Sequence, residues 1–320
     1  MNTLNRRRFI GISAAAAGAA AVGFARTEAP EPYLWRGTAL GAEAELRLYH
    51  PDRSFARHLI GRVLAETERL ENIFSLYRPD SQLSRLNRQG YLHRPAAELL
   101  EILSLSHTLH RLTRGAFDPT VQALWRLYAD TPQPDAAAVR RALKRVDWRQ
   151  VDFDPQTVRF RQQGMMLTLN GIAQGYITDR ISRLLQQAGL QHALVNMGEI
   201  RSLLPHGQPP FQAAVRHPQQ AGQTLLRIPL NGNRALATSG GYGTQLGGGI
   251  SHLFHPKTGS GVPLYHSVSV SAGQAAVADA LSTAFSVCGS ETIRAALAQL
   301  GGGIETWLMH PDGTLQHLAA

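Results

Sequence analysis

The chain has 320 residues, 43% hydrophobic and 17% charged, with a formal net charge of +9. This composition is ordinary for a globular protein of one large or two medium domains with a sizeable core. The basic excess is mild and no basic run or aromatic-interleaved patch stands out, so nothing argues for a nucleic-acid partner.

Residues 1–29 read as a removed signal peptide. Asn5-Arg6-Arg7-Arg8-Phe9-Ile10 resembles a twin-arginine export motif and precedes a small-residue apolar run, Ile12 to Phe24. That run is shorter than the ~20 residues of a permanent span, and cleavage points follow at Ala25 or Ala29. An uncleaved N-terminal anchor is the alternative. Removal takes away four arginines and one glutamate and leaves a mature charge of +6. Export to a periplasm is the expected location, and residues 30–320 form the remaining domain.

Tyr33 to Tyr49 alternates as strands. Ser54 to Phe74 carries Phe55, Leu59, Val63, Leu70 and Ile73 at helical spacing. Ala96 to Leu112 predicts a second helix, stopped at Thr113-Arg114-Gly115. A helix over Asp135–Arg145 follows a proline loop. Val151–Phe160 and Gly164–Leu169 predict a hairpin, whose second strand feeds a glycine turn and a helix from Ala173 to Ala188. Strands are predicted within His192–Leu204, Phe211–Val215 and Thr224–Pro229, and over His266–Ser271. Helices from Ala275 to Val287 and Glu291 to Leu300 precede a last strand, Thr306–His310. Cys288, the only cysteine, excludes a disulfide within the chain and reads as a buried, inert thiol. No GxGxxG stands at a strand-to-helix turn and no Walker motif is present.

Three places could carry chemistry. Asp279 and Thr283 stand four apart on one helix face, where a carboxylate and a hydroxyl can reach one hard cation such as Mg²⁺. The bland alternative is a first-turn carboxylate favoured by the helix dipole, with Thr283 as filler. The helix start at Ala173 offers free N–H groups to an anion such as a pyrophosphate. His252 and His255 offer imidazoles that titrate near neutral pH, or plain structural hydrogen bonds.

Several segments in order resemble the ApbE family, the FAD:protein FMN transferases. They are Phe74-Ser75-Leu76-Tyr77 with Leu83-Ser84-Arg85-Leu86-Asn87, then Gly115-Ala116-Phe117-Asp118-Pro119-Thr120. Thr168-Leu169-Asn170-Gly171-Ile172-Ala173-Gln174-Gly175-Tyr176 and Ala235-Leu236-Ala237-Thr238-Ser239-Gly240 follow. His252-Leu253-Phe254-His255-Pro256-Lys257-Thr258-Gly259 and Ala278-Asp279-Ala280-Leu281-Ser282-Thr283 complete the set. Each is weak alone, but together they span roughly residues 35–310. The resemblance implies an α+β, T-fold-related architecture with antiparallel sheets flanked by helices. It implies transfer of the FMN half of FAD to a Ser or Thr hydroxyl of an exported or membrane flavoprotein, with release of AMP.

By the same resemblance, Mg²⁺ is held by Asp279, Thr283 and backbone oxygens at Gly171 and Ala173. His252 and His255 are the catalytic candidates. Tyr77, Ala116, Phe117, Asp118, Thr168, Gln174, Leu253 and Thr258 are the cofactor contacts. Three residues depart from the family's pattern: Thr168 and His255 replace aspartates and Gln174 replaces a lysine. They keep open a FAD-binding protein without transferase activity and a metal-dependent FAD pyrophosphatase. A periplasmic solute-binding protein is the further alternative, and it leaves the ordered motifs unexplained.

Overall fold

The computed structural model describes residues 31–220, 222–246 and 249–319. The expected signal peptide lies outside them.

The frame is an eight-stranded antiparallel sheet. Its strands are β1 (Tyr33–Ala39), β2 (Ala42–Leu48), β6 (Ala193–Asn196), β7 (Ile200–Leu203), β10 (Ala235–Ser239), β11 (Ser267–Ala272), β12 (Glu305–Met309) and β13 (Leu315–Ala319). Hydrogen-bonded neighbours follow the order β1-β2-β6-β7-β10-β11-β12-β13. In β2, every second residue, Ala42, Ala44, Leu46 and Leu48, is buried, as a pleated strand with one core face demands.

Helices cover that face: α1 (Arg53–Phe74), α3 (Ala97–Leu112), α6 (Ala173–Gln187), α7 (Ala275–Phe285) and α8 (Ser290–Leu300). Asp52 starts α1 by accepting the Ser54 and Phe55 amides at 2.8 and 3.1 Å. The α7 sequence is mostly apolar, and nine of its eleven residues, Asp279 and Ser282 among them, are buried between α6 and the sheet, as a largely apolar helix requires. The other face is covered by the hairpin β8 (Phe211–Arg216) and β9 (Thr224–Leu230), which packs Ala213, Val215, Ile228 and Leu230 on Leu236 and Trp307. β11 is therefore buried on both faces. Val268 and Val270 lie in the main core, while the alternate Ser269 meets the Thr238 hydroxyl at 2.9 Å.

The expected hairpin of Val151–Phe160 with Gly164–Leu169 is not formed. The strands are β4 (Val151–Phe153) and β5 (Thr157–Phe160), with β3 (Tyr91–His93) on the far side of β5. Residues 164–169 form no strand, because other groups satisfy their backbone. Asn87 brackets Leu167, accepting its amide at 2.7 Å and donating to its carbonyl at 2.8 Å, and Thr168 donates to the Pro119 carbonyl at 2.9 Å. Four of these elements went unread in the sequence: α2 (Gln82–Gln89), β3, β10 and β13. The start and stop of α2 are visible in hindsight: Ser81 accepts the Ser84 amide at 3.0 Å, and Gly90 ends the helix at φ 78°. The remaining short helices are α4 (Gln122–Asp130) and α5 (Ala136–Leu143).

Candidate active site

α6 and α7 meet where neither tolerates a side chain on its partner's approach. A Cβ on Gly175 would lie 2.3 Å from the Ala275 carbonyl oxygen, and one on Gly171 would lie 2.8 Å from the Thr283 hydroxyl. Across this contact the helices cap each other. Asp279 of α7 accepts the Gly175 amide at 3.0 Å, so one of the free donors at the α6 start is already taken. Asp179 of α6 accepts the Ala275 and Ala276 amides at 2.9 and 3.0 Å and pairs with Arg201. Asp279 lies beyond the first turn of α7 and serves the other helix. It is buried, and burial pushes its carboxyl up to about 7, with the Gly175 amide opposing and the Asp179 charge adding.

The β6–β7 turn brings a second buried carboxylate, Glu199. Its carbonyl accepts the Thr178 hydroxyl at 3.1 Å, which ties the turn to α6. Burial, then the charge of Asp279, pushes the Glu199 carboxyl well above its ordinary range, against a Thr238 amide. Its Oε2 has no hydrogen-bond partner. Among the described residues, neither Asp279 nor Glu199 forms an ion pair with Lys, Arg or His. The end of β10 closes this corner: Ser239 Oγ lies 3.4 Å from Thr283 Oγ1 and 2.8 Å from Ser282 Oγ.

Asp279, Thr283 and the backbone of the Gly171–Ala173 turn are all oxygen donors, as a hard divalent cation requires. Among the described residues, no group of three or more His, Cys, Asp and Glu is placed to hold a metal; the donor set leans on hydroxyl and carbonyl oxygens. Buried charges in proteins are normally paired or metal-bound. Two uncompensated carboxylates and an orphaned oxygen therefore fit a divalent cation.

Of the expected cofactor contacts, Tyr77, Thr168 and the Ala116–Asp118 segment lie beside this turn. Tyr77 is half exposed, and its hydroxyl is hydrogen-bonded by the Asn170 side chain next to Gly171. Thr168 accepts the Asn170 amide at 3.2 Å, and its own bond to Pro119 docks the Ala116–Thr120 loop. The Asp118 carboxylate turns inward. Oδ1 takes the Thr120 amide and hydroxyl at 2.8 and 2.5 Å, and Oδ2 takes the Trp148 amide at 3.2 Å. That leaves Ala116 and backbone atoms as this loop's outward groups, since Phe117 is also buried. Gln174 lies against Gly198, within 2.7 Å of where a Cβ would sit.

The histidines lie on a separate loop. His252 Nδ1 is 3.0 Å from the Thr244 carbonyl. A carbonyl only accepts, so Nδ1 carries the hydrogen and Nε2 keeps its lone pair. Burial holds this imidazole below its usual range, the Thr244 carbonyl opposing, so it is neutral at pH 7. His255 is the opposite tautomer: Nδ1 accepts the Lys257 amide at 3.2 Å, leaving Nε2–H as a donor. Burial, then the Lys257 charge, also lowers its pKa. Leu253 is buried and Thr258 exposed. Lys257 reaches across to Gly115, where a Cβ would lie 3.6 Å from its Cε. The Ser239 corner and this loop are joined through Gly241, whose Cβ position is 3.3 Å from Ser251 Oγ.

Sequence reasoning did not single out Glu199, Asn170 or Ser239 as site residues. Their signals were present in Asn196-Met197-Gly198-Glu199, in the glycine turn and in Thr238-Ser239-Gly240, but nothing local marked which side chains face Asp279 and Thr283.

The described residues thus define an antiparallel-sheet protein in which a helix crossing rich in oxygen donors lies apart from a loop with two histidines. The ApbE family model matches residues 40–308, and this chain belongs to the ApbE family. A relative named FAD:protein FMN transferase from Treponema pallidum (strain Nichols) is 31% identical, over 85% of this chain and 83% of its own length. One of the same name from Klebsiella pneumoniae (strain 342) is 27% identical, over 86% and 84%. The fold is that of the solved ApbE protein from Thermotoga maritima, with TM-score 0.80, 26% identity and coverage of 89% of this chain and 96% of that one. Flavin transferase ApbE from Vibrio cholerae gives TM-score 0.77 at 23% identity, covering 91% and 97%.

Proposed function

We propose that this chain transfers the FMN half of FAD to a Ser or Thr hydroxyl of an exported or membrane flavoprotein, releasing AMP, with Mg²⁺ at the α6–α7 crossing. The observation that carries the reading is that crossing, where Thr283 meets Gly171, Asp279 holds the Gly175 amide, and among the described residues no cation pairs with the buried carboxylate. Asp279, Thr283 and backbone oxygens at Gly171 and Ala173 would hold the ion. A divalent cation there supplies neutralisation of charge on the pyrophosphate oxygens.

His252, neutral and with Nε2 open, takes the proton of the acceptor hydroxyl. The hydroxyl oxygen bonds to the FMN phosphorus as the bond from that phosphorus to the bridging oxygen breaks. The bridging oxygen leaves with AMP. His255 contributes an Nε2–H donor rather than a second base. Lys257, leaning toward the Ala116–Asp118 loop, brings a cation to a site where Gln174 brings none. Tyr77, Ala116, Phe117, Asp118, Thr168, Gln174, Leu253 and Thr258 form the flavin-nucleotide side, with Asp118 acting by holding its loop.

Residues 1–29 form a twin-arginine-type signal on this reading, and residues 30–320 act in the periplasm. No described helix is long and apolar enough to cross a membrane, so contact with a membrane complex runs through the acceptor. The test is incubation of residues 30–320 with FAD, Mg²⁺ and a tagged acceptor bearing a Thr site, read by acceptor mass. A gain equal to FMN with AMP released supports the proposal. Free FMN with AMP means a pyrophosphatase, and bound FAD without AMP means a binding protein.

A further inference from the structure

We infer that Glu199 is a further carboxylate of the cation site, giving the ion a second negative charge beside Asp279; this rests on the cation-dependent reading above. Glu199 arrives from a part of the chain distant from α7. Its backbone is fixed by Thr178 of α6 and by the turn in which Asn196 accepts the Gly198 amide at 3.1 Å. The side chain is buried, 6% exposed by residue, and Thr178, which anchors its backbone, stands three residues along α6 from Gly175, whose amide Asp279 accepts.

Among the described residues the Glu199 carboxyl meets the Thr238 amide and no cation. Arg201, two residues on, pairs with Asp179 through Nη1; its buried Nε and Glu199 Oε2 are both left without a partner, so the two do not bond to each other. Gln174 lies against Gly198 as an uncharged amide. A protonated carboxyl held for stability needs an acceptor for its O–H, yet Oε2 has no hydrogen-bond partner at all. Burying two carboxylates against the first turns of one helix, with one orphaned oxygen, is unfavourable in an empty protein. A divalent ion removes both costs, and Mg²⁺ sites commonly use one or two carboxylates, leaving other positions to water and substrate phosphate.

The test is titration of the chelator-treated protein with Mn²⁺ alone, read by calorimetry and by the free-ion electron paramagnetic resonance signal. Glu199→Gln keeps the shape and removes the charge. It is expected to weaken Mn²⁺ binding about 10–100-fold, the usual effect of removing a carboxylate that supports a metal site. Without metal, the same variant is expected to melt at or above the wild-type temperature at pH 8, since a like-charge contact is gone. Mn²⁺ affinity equal to wild type, or a lower melting temperature in the metal-free state, overturns the inference.

Glu199→Ala, which removes the charge and leaves no buried amide to satisfy, covers the case in which Glu199→Gln does not fold. Mn²⁺ affinity weakened about 10–100-fold supports the inference, and affinity equal to wild type overturns it. Asp279→Asn also separates the two readings. If it binds Mn²⁺ like wild type, the cation site itself is wrong. If it loses Mn²⁺ while Glu199→Gln does not, only the role of Glu199 fails.

Discussion

Gly175→Ala and Gly61→Ala make the same change in two helices, with opposite expected signs. Gly61 is exposed on α1, and nothing lies within 4 Å of where its Cβ would be. Alanine there gains about 1 kcal/mol of helix propensity. At Gly175 the new Cβ would lie 2.3 Å from Ala275 O, 2.5 Å from Ala275 C and 2.7 Å from Ala276 Cα. These are backbone atoms at the start of α7, pinned by Asp179 through two amides, so no side chain can swing aside. Overpacking of that kind costs about 3 kcal/mol or more, which exceeds the propensity gain and leaves a net loss of about 2 kcal/mol. In a domain of this size each kcal/mol moves Tm by about 2–4 °C. Differential scanning calorimetry is therefore expected to show a fall of about 4–8 °C for Gly175→Ala and a rise of about 2–4 °C for Gly61→Ala. The displaced α7 also pulls Asp279 off the Gly175 amide, so Mn²⁺ affinity falls with Tm in the first variant and not in the second. A Gly175→Ala protein as stable as wild type would refute the close α6–α7 crossing on which the site is built.

His252→Ala is expected to lower the transfer rate about 10²–10⁴-fold while FAD binding persists, measured by rapid-mixing kinetics and flavin fluorescence. A base must be neutral, and burial depresses this imidazole from 6.5 in the ligand-free protein, so the acid limb of kcat/KM is expected below pH 6.5; a limb above that value counts against His252 as the base. Asp118→Ala leaves the Thr120 amide and hydroxyl and the Trp148 amide without their acceptor. Each orphaned buried donor costs about 1–3 kcal/mol, so urea denaturation is expected to show a loss of about 3 kcal/mol or more, and a loss under about 1 kcal/mol contradicts the network. The Cys288 thiol is pushed up to about 12 by burial; maleimide labelling at pH 8 is expected to be slow in the native protein and fast in urea, and fast native labelling would show the thiol to be open.

Much of the fold was legible because its signals are local. The apolar spacing of α1, the largely apolar α7 and the alternation in β2 and β11 each lie within one short window. Residues 164–169 misled because an apolar run with β-formers looks like a strand, while the acceptors that hold it, on Asn87 and Pro119, come from elsewhere in the chain. α2 is short and polar, so its caps rather than its periodicity announced it.

The site divides the same way. Sequence alone determined which residue types were available, in what order, and that a hydroxyl and a carboxylate share one helix face, because a helix fixes four-residue spacing. Only the tertiary structure decided that Asp279 caps α6, that Asp118 faces inward, that the two histidines adopt opposite tautomers, and that Glu199 is buried with one oxygen unpartnered. These depend on burial, on direction and on which distant group supplies the matching donor, and such quantities exist only once separate segments have been brought together.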